Sequence, residues 1–416
     1  MRNVPIAAAG CAAAFLLPSP APAKTLEPTL DPSSLRADGP SALTALLARF
    51  DRLPPGAERD QLEREIDRVA GQRYATVSRL YWYTDLAQAE AAAQAAKRPI
   101  LALRMLGRLD EDLSCANSRL FRATLYANAD VSKFLRENFV LYWSSERPVP
   151  KVTIDYGDGR KIESTTTGNS AHYVLDADGH VLDVLPGLYA PIAFKAELTN
   201  SLALARSVRG VSEAKRLAIV ERYHHSLLAE QQAAWKRVAR TPYILGSRQL
   251  SGMSSIAKAQ AVTMSKARIE LPTLRYVGLD AGQPPDAAMW AAVGQVLYGI
   301  GDLKGPRQPR PPVPVTDARS RALIAQLHGA ATADELAQLI ERLEHHLVAD
   351  TALNQLQLRA QTSALIVADT SRMTVFETLN AEIYDSVFHT PKTDRWLGLL
   401  PRTDFTGVPN DGVVKP

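Results

Sequence analysis

The chain has 416 residues, of which 46% are apolar, 22% charged and only 6% aromatic. These proportions are those of an ordinary folded protein of two or three domains, so wholesale disorder is excluded, and the low aromatic share favours helices over an all-β barrel. The formal net charge of +4 is too small to indicate nucleic-acid binding, and no internal apolar run reaches the roughly 20 residues of a membrane span.

The amino terminus has the pattern of an export signal. Arg2 precedes an apolar run over residues 4–17, and small residues lie before Lys24. This pattern predicts a signal peptide over residues 1–23 and a periplasmic or secreted protein. Two alternatives stay open: an uncleaved anchor, for which the run is short, and a lipoprotein cleaved at Cys11, which lies inside the apolar run rather than at its end.

Cleavage of the signal would leave Cys115 as the only thiol, because the chain has two cysteines. An exported protein of this size with one cysteine has no internal disulfide framework, so its stability must come from its core.

The segment after the signal predicts a linker and then a pair of helices. Residues 24–40 contain three prolines and no periodicity, which is typical of a linker. Residues 42–50 and 57–69 have apolar residues at helical spacing, with a Leu-Pro-Pro-Gly turn at 53–56 between them. We therefore expect a helical hairpin over residues 41–73.

Residues 74–207 alternate between strand and helix patterns. Apolar and aromatic runs predict strands, alanine-rich or amphipathic runs predict helices, and two Gly-containing turns predict hairpins. In chain order these are strand 79–85, helix 86–96, strand 99–103, helices 118–126 and 131–137, strand 139–143, hairpins 152–164 and 171–185, and helix 191–207. This order predicts an α/β domain with a mixed sheet flanked by helices.

The remaining half of the chain is predicted to be mostly α-helical. It divides into a helical region over 208–304, a proline-rich linker over 305–316, and a helical region over 317–416 that ends in an irregular tail. The helices are expected at 211–238, 254–268, 287–298, 317–327, 332–349 and 353–365.

Four segments lie in this order between residues 89 and 198: 95–101 (AAKRPIL), 115–118 (CANS), 128–140 and 168–179. They resemble the thioredoxin-like superfamily at its central strand, its Cys-x-x-Cys motif, a helix-to-strand passage and a hairpin. The resemblance covers about a quarter of the chain and implies a thioredoxin-like domain over residues 74–207. It implies nothing about residues 208–416.

The departures from that family concern its chemistry. Ser118 replaces the second cysteine, Ser114 replaces the tryptophan before the first cysteine, and Ser170 replaces a proline that faces the thiol. A dithiol enzyme needs one sulfur to attack a disulfide and another to resolve the mixed intermediate. The motif therefore excludes ordinary thioredoxin turnover.

Two interpretations of Cys115 stay open. Ser114 could cap a helix whose positive end favours the thiolate, whereas the acidic residues 110–112 would oppose it, with Arg119 offsetting them. Cys115 is then either a reactive monothiol or a packed, inert cysteine. His172 lies on a predicted strand near Ser170, where it could polarise Cys115 or simply pack.

Other candidate sites are weaker. His224–His225 and His345–His346 are adjacent on predicted helices and cannot readily share a metal, so we expect solvated surfaces. Residues 176–179 are expected to form a turn. Residues 206–275 carry an excess of nine basic residues, which could bind an acidic partner but are spread around the helix as on a solvated face.

Two functions of different classes follow. The first is a non-catalytic scaffold or binding protein; the second is a monothiol redox protein that acts through Cys115 on a thiol- or disulfide-bearing protein. The candidate site residues are Cys115, Ser118, Ser170 and His172, and no cofactor or metal is predicted.

Overall fold

The computed structural model describes residues 35–36, 38–165, 168–239, 292–294, 297, 315–329, 332–395 and 409. The predicted signal peptide, the helix predicted at 254–268, most of the helix predicted at 287–298, nearly all of the proline-rich linker and most of the tail lie outside the described residues.

The centre of the protein is a five-stranded mixed sheet with the spatial order β1-β3-β2-β6-β7. The β1–β3 and β3–β2 pairs are parallel, whereas β2–β6 and β6–β7 are antiparallel. The remaining two strands, β4 and β5, form a separate antiparallel ribbon. The strands are β1 Trp82–Tyr83, β2 Ile100–Leu106, β3 Val140–Arg147, β4 Lys151–Asp155, β5 Lys161–Thr165, β6 Ala171–Leu175 and β7 Val181–Pro186.

Helices surround this sheet. They are α1 Pro40–Phe50, α2 Ala57–Ala70, α3 Ala75–Ser78, α4 Leu86–Ala96, α5 Ala116–Leu120, α6 Ala129–Asn138, α7 Pro191–Ser207, α8 Glu213–Ala239, α9 Ala318–His328, α10 Ala333–Leu353, α11 Arg359–Ala368, α12 Thr370–Met373 and α13 Phe376–Glu382. Single turns of π-helix at Phe121–Leu125, Asn354–Leu358 and Ile383–Val387 extend α5, α10 and α13.

Both faces of the sheet are covered. Strands β2, β6 and β7 are buried along their whole length, as expected of strands with helices on both sides. Successive side chains of a strand point to opposite faces. On β6, the ring of His172 packs against that of Phe194 of α7, with 4.8 Å between the ring centroids. The ring of Tyr173 packs against that of Phe376 of α13, with 5.0 Å between the centroids.

The C-terminal helices belong to the same hydrophobic core as the sheet. Leu347, Leu379 and Phe388 are buried in one apolar cluster with Leu103 of β2. A backbone hydrogen bond from Val181 to the carbonyl of Thr374 at 2.8 Å joins β7 to the turn before α13. The helical C-terminal region predicted from the sequence is thus observed where the structure describes it, and it packs directly on the sheet.

Helices α1 and α2 share a smaller apolar cluster that contains Leu43, Leu47, Leu62 and Ile66. Gly71 ends α2 with a φ of 71°. A Cβ atom there would lie 2.9 Å from the carbonyl oxygen of Trp82, so the close approach of this turn to β1 requires glycine.

One strand is shorter than predicted. The sequence predicted a strand over residues 79–85, but β1 contains only Trp82 and Tyr83. Arg79 has a φ of 57°, which interrupts extended backbone, and Asp85 already caps α4 by accepting from the N–H of Gln88 at 2.8 Å. Among the described residues, no helix is both long enough and apolar enough to cross a membrane.

Candidate functional site

Cys115 lies between the carboxyl end of β2 and the start of α5. Its backbone N–H donates to the carbonyl of Leu106, the last residue of β2, at 3.1 Å. Cys115 itself is the N-cap residue of α5, with φ −60° and ψ 156°. The expectation that Ser114 caps this helix is therefore wrong.

A chain of hydroxyl contacts surrounds the thiol. The Cys115 Sγ donates to Ser118 Oγ at 3.4 Å. The Ser118 hydroxyl lies 2.7 Å from Ser114 Oγ and 2.8 Å from the Cys115 carbonyl oxygen, and donates its proton to one of them. All three residues are fully buried. The predicted neighbours Cys115 and Ser118 are thus brought together, but inside the protein.

The loop that carries Ser114 is held by a buried arginine that the sequence analysis missed. Arg122 donates to the carbonyl oxygens of Leu109 at 2.9 Å and Asp112 at 3.3 Å, to that of Glu111, and to Ser114 Oγ at 3.2 Å. Burial lowers the pKa of Arg122 to about 10, which leaves it charged at neutral pH. This guanidinium satisfies backbone groups that a buried loop would otherwise leave unpaired.

The acidic residues before Cys115 are engaged by arginines. Asp110 and Glu111 pair with Arg108 at 2.7 and 3.4 Å, and Asp112 pairs with Arg73 at 2.8 Å. These ion pairs partly neutralise the three carboxylates, so the carboxylates repel a thiolate at Cys115 less strongly.

Arg119, which was expected to offset those acids, points toward the β4–β5 ribbon. It donates to Thr165 Oγ1 at 3.0 Å, and Thr165 Oγ1 donates to the carbonyl oxygen of Ser114 at 3.1 Å. The end of β5 therefore packs directly against the loop that precedes Cys115.

His172 is a buried, neutral histidine whose ring is bonded to a tyrosine. Its Nε2 lies 2.7 Å from the hydroxyl of Tyr126, and its ring contacts Phe121 at 4.6 Å and Phe194 at 4.8 Å. Burial lowers the pKa of His172 to about 3. Burial also raises the pKa of Tyr126 well above its ordinary value, with a smaller contribution from the nearby Cys115. Tyr126 thus lies near both Cys115 and His172, and the His172 ring packs between buried aromatic side chains.

The segment before β6 is covered by the C-terminal region. The carbonyl oxygen of Asn169 accepts from the hydroxyl of Tyr384 at 3.2 Å, and Asn169 Nδ2 donates to Thr390 Oγ1 at 3.0 Å. The Ser170 hydroxyl is fully buried and has no hydrogen-bond partner among the described residues. Residues 384–390 therefore lie over the position where the resemblance places a proline that faces the thiol.

A second buried polar cluster joins distant parts of the chain. Arg359 of α11 is fully buried, pairs with Asp183 of β7 at 2.6 Å and also pairs with Glu197 of α7. Tyr223 of α8 and Ser201 of α7 donate to the same Asp183 oxygen at 2.8 and 2.6 Å. Burial alone would lower the pKa of Arg359, but the two carboxylates raise it, so the guanidinium stays charged.

The sequence contained one signal for this cluster. Asp183 interrupts the apolar strand residues 181–185, and a charge in a buried strand requires a partner. Its partner Arg359 lies 176 positions away and could not be identified from spacing.

The histidine pairs lie in different environments. The expectation of a solvated surface is wrong for His224, which is buried with its ring nitrogens 3.1 Å from Ser363 Oγ and 3.0 Å from the Leu182 carbonyl oxygen. His225 is exposed, as expected. His345 and His346 are half-buried, and no group of residues suited to holding a metal ion occurs in the described part of the chain.

No protein-family model, curated protein or solved structure matches this chain.

Proposed function

We propose that this chain is an exported protein whose residues 74–207 form a thioredoxin-like domain without dithiol chemistry, and that it serves as a scaffold that binds a partner. The strand order β1-β3-β2-β6-β7 supports the first part, because a parallel βαβαβ unit followed by an antiparallel hairpin is what the resemblance implies. The position of Cys115 at the start of the helix after β2 is consistent with it.

The single observation that carries the non-catalytic proposal is the burial of Cys115. Its side chain has 0% exposure. Thiol–disulfide exchange requires in-line access of one sulfur to another, and Ser118 supplies no resolving thiol. In a scaffold the fold is retained, and the side chains of Cys115 and Ser118 contribute only to packing.

The monothiol alternative has one observation in its favour. Cys115 occupies the N-cap position of α5, where unpaired backbone N–H groups favour a thiolate. Redox function through this thiol would need an opening of the segment that covers it.

Alkylation of the native protein distinguishes the scaffold proposal from the monothiol alternative. We expect iodoacetamide to modify Cys115 at least about 100-fold more slowly in the native protein than in urea, because a thiol without exposure reacts only through opening of the structure. Mass spectrometry of the peptide that contains Cys115 measures the rate. A matched control is the Cys115→Ala, Ala214→Cys variant, whose thiol lies on the exposed surface of α8.

Rapid native labelling of Cys115, at the rate of the control thiol and with a midpoint below the ordinary pKa of about 8.5, would instead establish a reactive monothiol. The scaffold proposal would then be abandoned.

A further inference from the structure

A cavity of about 470 Å³ lies at the end of the sheet opposite to Cys115. Its wall includes Pro99, just before β2, and the turn at residues 176–180 between β6 and β7. The connection from α7 to α8 closes the other side. Because β2 extends from Ile100 to Leu106, this cavity and Cys115 are separated by the length of a strand, roughly 20 Å. The volume is in the range of small-molecule sites, roughly 300–1,000 Å³.

One wall of the cavity contains a buried arginine, Arg216, whose ion pair with the exposed Glu213 of the same wall is long. The side chain of Arg216, in the first turn of α8, is only 8% exposed. Its nearest carboxylate oxygen, from Glu213, is 3.9 Å from Nη2, and its Nη1 has no hydrogen-bond partner among the described residues. A buried guanidinium with an unused N–H group is costly unless an anion binds it.

Within the part of the chain that the structure describes, the other basic groups of the wall form no ion pair with a carboxylate. Arg209 donates to the carbonyl oxygen of Lys97 at 2.9 Å, and Arg98 donates to that of Arg136 at 2.9 Å. Lys97 forms no ion pair within 4 Å in the described part of the chain. Carbonyl oxygens hold these side chains without neutralising them, so their positive charge remains in the cavity wall.

The same wall contains three carboxylates, the exposed Glu213 beside Arg216 and two that accept close hydrogen bonds. Asp176 lies 3.1 Å from the ring of His180 and accepts from the backbone of its own turn. Asp178 accepts from Gln94 at 3.1 Å. The cavity wall therefore combines four basic side chains with three carboxylates, of which Asp176 and Asp178 have close hydrogen-bond partners, and Val208 and Val211 supply apolar surface.

We propose that this cavity binds a small molecule that carries an oxyanion, a carboxylate or a phosphate, with the anion on Arg216 and Arg209 and an apolar body against Val208 and Val211. Planar guanidinium groups bind both oxyanions through paired N–H donors. This proposal does not depend on the thioredoxin-like function, since no residue of the Cys115 site takes part in it.

Thermal unfolding of the full chain in matched ionic strength tests the proposal, with inorganic phosphate and succinate as probes and chloride as reference. A ligand that binds only the native state raises the melting temperature by mass action. We expect one of the two probes to raise it in the wild type and in Arg222→Gln, a control on the exposed surface of the same helix. A rise with phosphate alone identifies a phosphate ligand, and a rise with succinate alone a carboxylate.

Arg216→Gln should lose the rise, with a dissociation constant at least about tenfold higher by calorimetry. Arg209→Gln provides a second variant at an exposed position, should Arg216→Gln fail to fold by circular dichroism. The proposal is overturned if neither probe raises the melting temperature. It is also overturned if Arg209→Gln and every folded Arg216 variant respond like the wild type, because the effect is then a general action of the salt.

Discussion

The buried polar clusters around Arg359 and around Cys115 differ in charge and in the span of chain that they join. The cluster around Arg359 is ionic and brings together β7, α7, α8 and α11. The cluster around Cys115 consists of a thiol, hydroxyls and a neutral histidine, together with the Arg122 guanidinium on Ser114 Oγ, and is drawn mostly from residues 114–126. The Arg359 cluster therefore joins the C-terminal helices to the sheet, whereas the Cys115 cluster organises one loop and the helix that follows it.

Because of this difference, we expect the two clusters to lose different amounts of folding free energy when one member is removed. A charge left alone in the interior has lost both its water and its partner, so removal of one member of an ion pair is severe. A buried hydroxyl or thiol that loses a neighbour leaves only one weak hydrogen bond unmade. Three substitutions sharpen this comparison.

The largest effect is expected for Arg359→Met. The change leaves Asp183 and Glu197 buried without their common cation, and should lower the free energy of unfolding by about 3–5 kcal/mol. Urea unfolding at neutral pH measures it. The matched control is Arg49→Ala, which breaks the exposed pair with Glu58 and should cost less than about 1 kcal/mol. Equal losses in the two variants would remove the distinction between the ionic cluster and an ordinary surface pair.

A smaller effect is expected on the pH dependence of stability, through His172 of the Cys115 cluster. Burial lowers the pKa of His172 to about 3 in the native protein, against about 6.5 in the unfolded chain. Between these values the unfolded state binds more protons, so the contribution of His172 to stability falls as the pH decreases below about 6.5. Between pH 7 and pH 5 the loss from this residue is about 2 kcal/mol.

The measurement is the difference in unfolding free energy between pH 7 and pH 5 for the wild type and for His172→Gln. The variant should be less stable at pH 7 but should lack about 2 kcal/mol of the acid-induced loss. His225→Gln, which removes an exposed histidine of α8, should retain the wild-type difference. If His172→Gln retains it too, His172 is not the buried neutral base that the cluster requires.

The smallest effect on stability is expected for Ser118→Cys. The thiol of Cys115 lies 3.4 Å from Ser118 Oγ, and residues three apart on a first helical turn are close enough for a disulfide. We expect internal oxidation without loss of helix, and a stabilisation of about 2 kcal/mol or less because the closed loop is short.

A free-thiol assay in denaturant after mild oxidation, together with circular dichroism, checks this prediction. Ser132→Cys is a suitable control, because Ser132 is equally buried but bonds to the Ala129 carbonyl and lies outside the motif. Persistence of both thiols in folded Ser118→Cys would show that the two positions do not have the geometry described.

Local signals in the sequence predicted several elements to the residue. Helix α4 was predicted at Leu86–Ala96 from its alanine-rich run and α7 at Pro191–Ser207 from its amphipathic pattern, and the structure adds that Asp85 caps α4 and that Pro191 opens α7. The hairpin of β4 and β5 follows from its Gly-Asp-Gly turn at residues 157–159. Each of these features depends on contacts within a few residues, which the order of amino acids determines directly.

The candidate site was predicted only in its local part. The contact between Cys115 and Ser118 follows from helical spacing. The roles of His172 and Ser170 could not be predicted, because the partner of His172 lies 46 positions away and the segment that covers Asn169 lies more than 200 positions away. His224 was placed on the surface for the same reason, since its partner Ser363 belongs to a helix that the spacing of α8 does not reveal.

By itself, the sequence determined the periods of the strands and helices, several of their turns, and the absence of a second cysteine beside Cys115. The tertiary structure alone decided that Cys115 is buried, that Arg359 lies between two carboxylates, and that Arg216 is buried in a cavity wall with an Nη1 group that has no hydrogen-bond partner among the described residues. The physical reason is that periodicity records which side of an element is apolar, whereas burial and charge pairing depend on which distant element packs against that side.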